Sequence, residues 1–143
     1  ASFGMVQLER LDQNIASRQA NFERQCKFFD NYPDYFSNPQ ETHGCNTAWL
    51  AFPILIKEGT PFTRKEFQIF LEKRNIQTRV VFTGNILRQP MCQNISKRVL
   101  EEGYPNADRV MARGVLLPLH HGMTESMFSR FHATVHEFIE QYD

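Results

Sequence analysis

The sequence predicts an α+β domain in which a small sheet of about three strands is covered by helices in two layers. Ala48 to Ile56 is a nearly unbroken apolar run of strand length, closed by Lys57-Glu58-Gly59. Thr63-Arg64-Lys65-Glu66 is a capping box, in which a threonine hydroxyl and a glutamate carboxylate satisfy each other's backbone amides at a helix start. Met127, Phe128, Phe131, Val135, Phe138 and Ile139 recur at helical steps after a capping Thr124, giving a last helix one apolar stripe.

The remaining elements follow in order. Met5, Leu8, Leu11, Ile15, Phe22, Cys26 and Phe29 predict one long helix from Ser2 to about Phe29, ended by Asp30-Asn31-Tyr32-Pro33. Residues 32–46 are rich in Asn, Pro, Ser and Gly and read as loop. The helix opened by the capping box points Phe67, Phe70 and Leu71 inward and ends near Asn75. Ile76 to Phe82 is rich in β-branched residues and reads as a second strand, with Thr83-Gly84-Asn85 as the turn after it. A short helical turn fits Arg88 to Cys92. Asn106 is the expected cap of a helix through Val110 and Met111 to Arg113, with Gly114 as its stop. Val115 to Leu119 is the third strand. The order is α, β, α, β, short α, β, α in one domain over 1–143, with a long helix over 1–30 and a sheet-and-helix body over 47–143. Phe52, Phe67, Phe70, Phe82, Phe131 and Phe138 are the expected core rings.

Composition excludes several classes. An apolar fraction of 41% with 13 phenylalanines supports a packed core rather than disorder. Sixteen basic residues balance 16 acidic ones, so the basic stripe that neutralises a phosphate backbone is missing and nucleic acid is a poor partner. No stretch is long and apolar enough for a membrane span, and no signal-peptide core follows the N-terminus. Cys26, Cys45 and Cys92 are odd in number and widely spaced, which fits reduced thiols in a cytoplasmic protein better than a disulfide framework or zinc knuckle. Asn94-Ile95-Ser96 matches a glycosylation sequon by chance. A chain that opens inside a strong amphipathic helix reads either as a segment of something longer or as an ordinary N-terminal helix.

The sequence lacks a phosphate-binding glycine loop, a nucleophile elbow and an HExxH motif. His120 and His121 are adjacent, so on a strand they point to opposite sides and chelate poorly as a pair. Their position after a strand end suits contact with a ligand better than a metal. His132 and His136 are four apart on a helix but have no third donor at matching spacing. The densest set of fixed donors lies between Gln77 and Pro90. There Arg79, Asn85, Arg88 and Gln89 suit phosphate, carboxylate or sugar hydroxyls, and Gly84 lets the backbone turn. The same residues also describe an ordinary polar strand-loop junction with surface arginines.

The segment Thr78 to Pro90 closely resembles a motif near the end of the DegT/DnrJ/EryC1/StrS family of sugar aminotransferases. It is most similar to the branch that removes the C3 hydroxyl of CDP-4-keto-6-deoxyglucose. Gly4 to Leu11 resembles the helix leaving that family's large domain, and Ala48 to Ile54 resembles the first strand of its small domain. Gly103 to Asp108 with Val110-Met111, and then Gly122-Met123-Thr124, resemble its closing segments. The resemblance implies the C-terminal small domain of a fold-type I pyridoxal-phosphate (PLP) enzyme of deoxysugar biosynthesis, such as serves lipopolysaccharide O-antigen. The PLP-bearing large domain and its catalytic lysine or histidine lie outside this chain. None of Lys27, Lys57, Lys65, Lys73 and Lys97 stands in the family's lysine motif.

By resemblance, Trp49 and Phe52 line the cleft, while Arg79, Asn85 and Arg88 face a sugar nucleotide or a partner subunit. His120-His121 departs from many members, which leaves that pair without an inherited role. The expected function is therefore substrate positioning without catalysis or cofactor in the isolated chain. The expected partners are a missing large domain or a second subunit. A free-standing binding or self-association module is the alternative, with Met5, Leu8 and Ile15 in a homodimer contact. A weaker alternative is an independent enzyme using His120, His121 or the arginines.

Overall fold

The computed structural model describes residues 2–142. The long helix expected over 1–30 is two helices, α1 (Ser2–Glu9) and α2 (Leu11–Phe29). At Arg10 the backbone relaxes to φ −97° and ψ −1°, and the Arg10 amide reaches the Gln7 carbonyl at 3.3 Å, one residue short of the α-helical partner. The break separates two environments. Phe29 at the far end of α2 is buried, whereas Leu8 and Leu11 beside the break are exposed.

Among the described residues the sheet has four strands in the order β1-β2-β4-β3, all antiparallel. They are β1 (Phe36–Ser37), β2 (Phe52–Ile56), β3 (Arg79–Val80) and β4 (Gly114–Leu117). β1 lies in the stretch read as loop. It is only two residues long and is defined by pairing with Ile56 and Leu55, which no local pattern announces. β2 is shorter than the apolar run that predicted it, because Ala48 to Ala51 approach the sheet without joining it. β3 is reduced to two exposed residues, since the chain turns at Phe82 with φ +47° and at Gly84 with φ +63°.

Register fixes which side chains share a face. Phe52, Ile54 and Ile56 of β2 face the same side as Val115 and Leu117 of β4, and all five are buried. α3 (Arg64–Glu72) and α5 (Glu125–Ile139) cover this side with Phe67, Leu71, Phe131, Val135, Phe138 and Ile139, and Phe29 of α2 completes it. Pro53, Leu55 and Leu116 point to the opposite side and are only half-buried.

The caps divide into two hits and one miss. Thr63 and Glu66 form the expected capping box, and the Thr124 hydroxyl accepts from the Met127 amide at 3.3 Å. α4 (Pro105–Arg113) instead starts with Tyr104 as cap and Pro105 in its first turn, not with Asn106. Proline's fixed φ suits that position, and its missing N–H needs no partner there. Gly114 stops α4 in an extended conformation and leads straight into β4. The short helical turn expected over Arg88 to Cys92 is two 3₁₀ turns, Ile86–Arg88 and Pro90–Cys92, starting two residues earlier.

Of the six expected core rings, Phe52, Phe67, Phe131 and Phe138 are buried and Phe70 is half-buried against the core. Phe82 is a correction: it is 85% exposed, because its left-handed backbone ends the strand before its side chain can join the sheet.

Candidate functional site

The residues singled out in the sequence fall into two separate neighbourhoods. The first is the loop after β3. Gly84 donates to the Val81 carbonyl at 3.1 Å, and a Cβ at Gly84 would lie 2.3 Å from Met111 Cβ, so the loop backbone rests directly on α4. That contact brings Asn85 to Asp108. Buried Asn85 accepts from the Leu87 amide at 3.0 Å through Oδ1 and donates to Asp108 at 2.8 Å through Nδ2. Arg88 grips the same carboxylate with Nε at 2.9 Å and Nη2 at 2.8 Å, a bidentate fork. The Arg88 hydrogen bond, and after it that of Asn85, hold the Asp108 carboxyl down to about 2.

The sequence leaves Asn85 and Arg88 either as donors suited to a ligand or as part of an ordinary polar strand-loop junction. Both are largely committed to Asp108, a partner 20 or more residues away that no spacing rule singled out. A cavity of about 320 Å³ opens beside this cluster, walled by Leu87, Val99 and Tyr104 and carrying Lys97 and Glu102 at its rim.

The second neighbourhood lies where the half-buried side of the sheet meets the end of β4. Arg79 pairs in register with Leu116 on that side. Two depressions of about 340 and 260 Å³ share Gln77, Pro118 and His120 and form one groove. His120 accepts from the Gly122 amide at 3.1 Å through Nδ1, and its carbonyl accepts from Asn21 at 2.8 Å, which ties the loop to α2. His121 is exposed and does not line the groove. The two rings stand 6.4 Å apart at 84°.

Other expectations resolve differently. Trp49 is half-buried, with its ring stacked on Phe22 at 4.4 Å. Phe52 has no exposure and sits between Phe22 and Phe29, so within this chain it is a core residue and lines no cleft. His132 donates to Gln25 at 2.8 Å and stacks on Phe28 at 3.9 Å, while His136 lies 2.9 Å from the Tyr32 hydroxyl. His132 is therefore engaged in packing, and His136 is exposed and held by Tyr32 and Glu140. Among the described residues, no group of three or more His, Cys, Asp or Glu is placed to hold a metal ion.

The residues present do not fit pyridoxal phosphate. All five lysines are exposed: Lys65 and Lys73 line an open depression, and Lys97, in the cavity beside Arg88, donates to the Cys92 carbonyl. Of the carboxylates beside it, Asp108 is already tied to Arg88 and Asn85, and Glu102 stands exposed on the loop. This donor set supplies neither a buried amine nor a buried, unpaired acid for a pyridine nitrogen.

Comparison with known proteins agrees with the topology. A profile described as the DegT/DnrJ/EryC1/StrS aminotransferase family matches residues 1–136. The lipopolysaccharide biosynthesis protein RfbH of Salmonella typhimurium is 33% identical over 124 residues, which is 87% of this chain and 28% of that protein. A dTDP-4-dehydro-2,6-dideoxy-D-glucose 3-dehydratase of Saccharopolyspora spinosa is 29% identical over 97% of this chain and 30% of its own length. Among solved structures, a GDP-4-keto-6-deoxymannose-3-dehydratase with a trapped PLP-glutamate geminal diamine superposes with a TM-score of 0.76 at 26% identity. It covers 90% of this chain and 33% of that one. The chain thus spans about a third of the length of the proteins it matches. No helix among the described residues is long and apolar enough to cross a membrane.

Proposed function

This chain belongs to the DegT/DnrJ/EryC1/StrS aminotransferase family, and from that premise we propose that it is the C-terminal small domain of a PLP-dependent nucleotide-sugar dehydratase or aminotransferase. In this reading it positions substrate and has no catalytic activity alone. The observation that carries the reading is the pairing of a family match along nearly the whole chain with coverage of only about a third of each relative. The relatives' names supply the substrate class, a nucleoside diphosphate sugar, and the solved neighbour's supplies the cofactor.

PLP, when bound, provides the electron sink for such chemistry, and the protein provides binding, orientation and electrostatics. The chain's share is the second of these. Asp108 fixes the Arg88 guanidinium and the Asn85 amide in one orientation, and Gly84 holds that loop against α4. The half-buried side of the sheet and α1 offer apolar surface to a larger neighbour.

The test is to add pyridoxal phosphate to this chain, follow its visible absorption, reduce with borohydride and weigh the protein. The expected result is an unchanged mass. A stoichiometric adduct on one lysine would overturn the reading.

A further inference from the structure

We propose that Tyr32 is a covalent acceptor site for an uncharged, activated acyl donor, with His136 as the base that takes its proton and Glu140 as the residue that orients His136. None of the three lines the cavity beside Arg88 or the groove around His120.

The first support is the order of contacts. The Tyr32 hydroxyl lies 2.9 Å from His136 Nδ1, and His136 Nε2 lies 3.3 Å from Glu140 Oε1. A nucleophile within hydrogen-bond reach of a base, with that base held by a third group, is the arrangement that activates a hydroxyl. Glu140 also sets the direction of the chain. A carboxylate only accepts, so it selects the neutral ring form with the proton on Nε2. Nδ1 is then a lone pair, and the Tyr32 hydroxyl donates to it.

The second support is rigidity. Tyr32 sits in the turn after α2, where its amide donates to the Phe29 carbonyl at 3.0 Å. Its own carbonyl accepts from the Tyr35 and Phe36 amides at 3.2 and 3.1 Å. Its ring meets Phe28 edge-on, at 5.4 Å and 63°. His136 and Glu140 stand one turn apart at the C-terminal end of α5. Hydroxyl, imidazole and carboxylate are thus each carried by a fixed piece of backbone.

The third support is access and charge. The His136 and Glu140 side chains are 57% and 60% exposed, so a small molecule meets this cluster from solvent. Asp30 and Asp34 flank Tyr32 at two residues on either side, and Glu140 adds a third carboxylate. They disfavour an anionic donor and leave an uncharged one. Exposure also limits the gain, because water screens the charge that builds up on the base.

The probe is N-acetylimidazole. The Tyr32 oxygen attacks its carbonyl carbon, a C–O bond forms, and the hydroxyl proton passes to His136 Nδ1. The C–N bond then breaks and imidazole leaves with that proton, giving a tyrosine ester. Peptide mass mapping gives the rate at each tyrosine, and release by hydroxylamine marks the ester apart from lysine amides. Tyr32 is expected to react faster than Tyr104, although Tyr32 is half-buried and Tyr104 exposed. His136→Gln keeps a hydrogen-bond partner for the hydroxyl but supplies no base. It is expected to slow Tyr32 by roughly ten- to a hundredfold, below the usual worth of a buried general base because this one is exposed. Glu140→Gln is expected to slow it by about two- to fivefold, the worth of an exposed ion pair. The rates at Tyr104 and Tyr142 stay unchanged in both variants and report an intact fold. A role confined to packing predicts the opposite for His136→Gln, an unchanged Tyr32 rate or a higher one as the hydroxyl loosens. That result overturns the proposal. So does a Tyr32 rate no higher than that of Tyr104, a rate indifferent to Glu140→Gln, or a stronger preference for Tyr32 from the anionic donor acetyl phosphate.

Discussion

Helix α5 and residues 82–104 are both rich in large apolar side chains and treat them in opposite ways. α5 buries Phe128, Phe131, Val135, Phe138 and Ile139, whereas the loop leaves Phe82, Ile86, Met91, Ile95, Val99 and Leu100 in solvent. The difference lies in spacing. The α5 residues recur at helical steps and present one stripe to the sheet. The loop residues share no period, so two 3₁₀ turns and a left-handed Phe82 aim them in several directions. Apolar content alone does not make core, and the unperiodic apolar stretch stays at the surface of this chain.

The largest test of that contrast is a pair of truncations. Phe138 packs against the rings of Phe62, Phe67, Phe70 and Tyr142 at 4.8–5.2 Å between centroids. Phe138→Ala should therefore cost about 3–5 kcal/mol, the usual range for a buried phenylalanine. Phe82→Ala should stay within about 0.5 kcal/mol, because the ring touches little to lose. Urea unfolding midpoints measure both. Equal losses would break the comparison, since they would mean that Phe82 is buried in solution.

The same contrast explains what the sequence made legible. The capping box at Thr63 and the cap at Thr124 were readable because each involves residues three apart on one turn. The β2 core residues were readable because the run was apolar and of strand length. β1 was not, because its two residues are defined by partners 18 or more positions away. Phe82 was misplaced because alternation cannot report a positive φ. At the site, Arg79 and His120 were named from the sequence, but their meeting across Gln77 depends on β3 lying beside β4. Asp108 passed without a role because its link to Asn85 and Arg88 spans 23 and 20 residues. A carboxylate in the first turn of a proline-led helix was the only local hint.

A smaller effect sharpens the contrast from the α5 side. His132 lies on α5 against Phe28, Phe128 and Phe131, with Gln25 as hydrogen-bond partner and Arg24 as the nearest charge on α2. Burial, and after it Arg24, push its pKa down from 6.5 to about 4. The unfolded chain therefore binds a proton near pH 6.5 that the folded chain refuses until about pH 4. Stability is unaffected above pH 6.5 and declines as pH falls through that window. The loss should be about 1–2 kcal/mol, reduced by solvent screening because the ring is only half-buried. Glu66 and Glu125, both held low by their partners, add their own loss at lower pH, so the readout is a difference. His132→Phe should flatten its share of the slope between pH 7 and pH 4. It also carries a constant cost, because the buried Gln25 oxygen loses its donor. Parallel urea midpoint curves for the two proteins across this range would rule the account out.

The smallest expected effect on stability belongs to α1, the other region with uncovered apolar surface. Phe3 is 88% exposed, Met5 60% and Leu8 64%, while Ile15 of α2 is half-buried, so this end contributes little to the core. In the proposed function a larger neighbour covers this face, and a second copy of the chain is the substitute that a solution of it offers. Covering a few hundred Å² of apolar surface is worth roughly 25 cal/mol per Å². Lost translational and rotational freedom opposes it by several kcal/mol. The two are close enough that association should be weak, concentration-dependent and two-fold symmetric, the commonest closed arrangement. Leu8→Glu places a charge in the contact, so it should lower the average mass in sedimentation equilibrium. Because Leu8 packs against no core residue, its urea midpoint should move by less than about 0.5 kcal/mol. A monomer at every concentration for both proteins would remove self-association. A large stability loss in Leu8→Glu would show instead that α1 folds back onto its own domain.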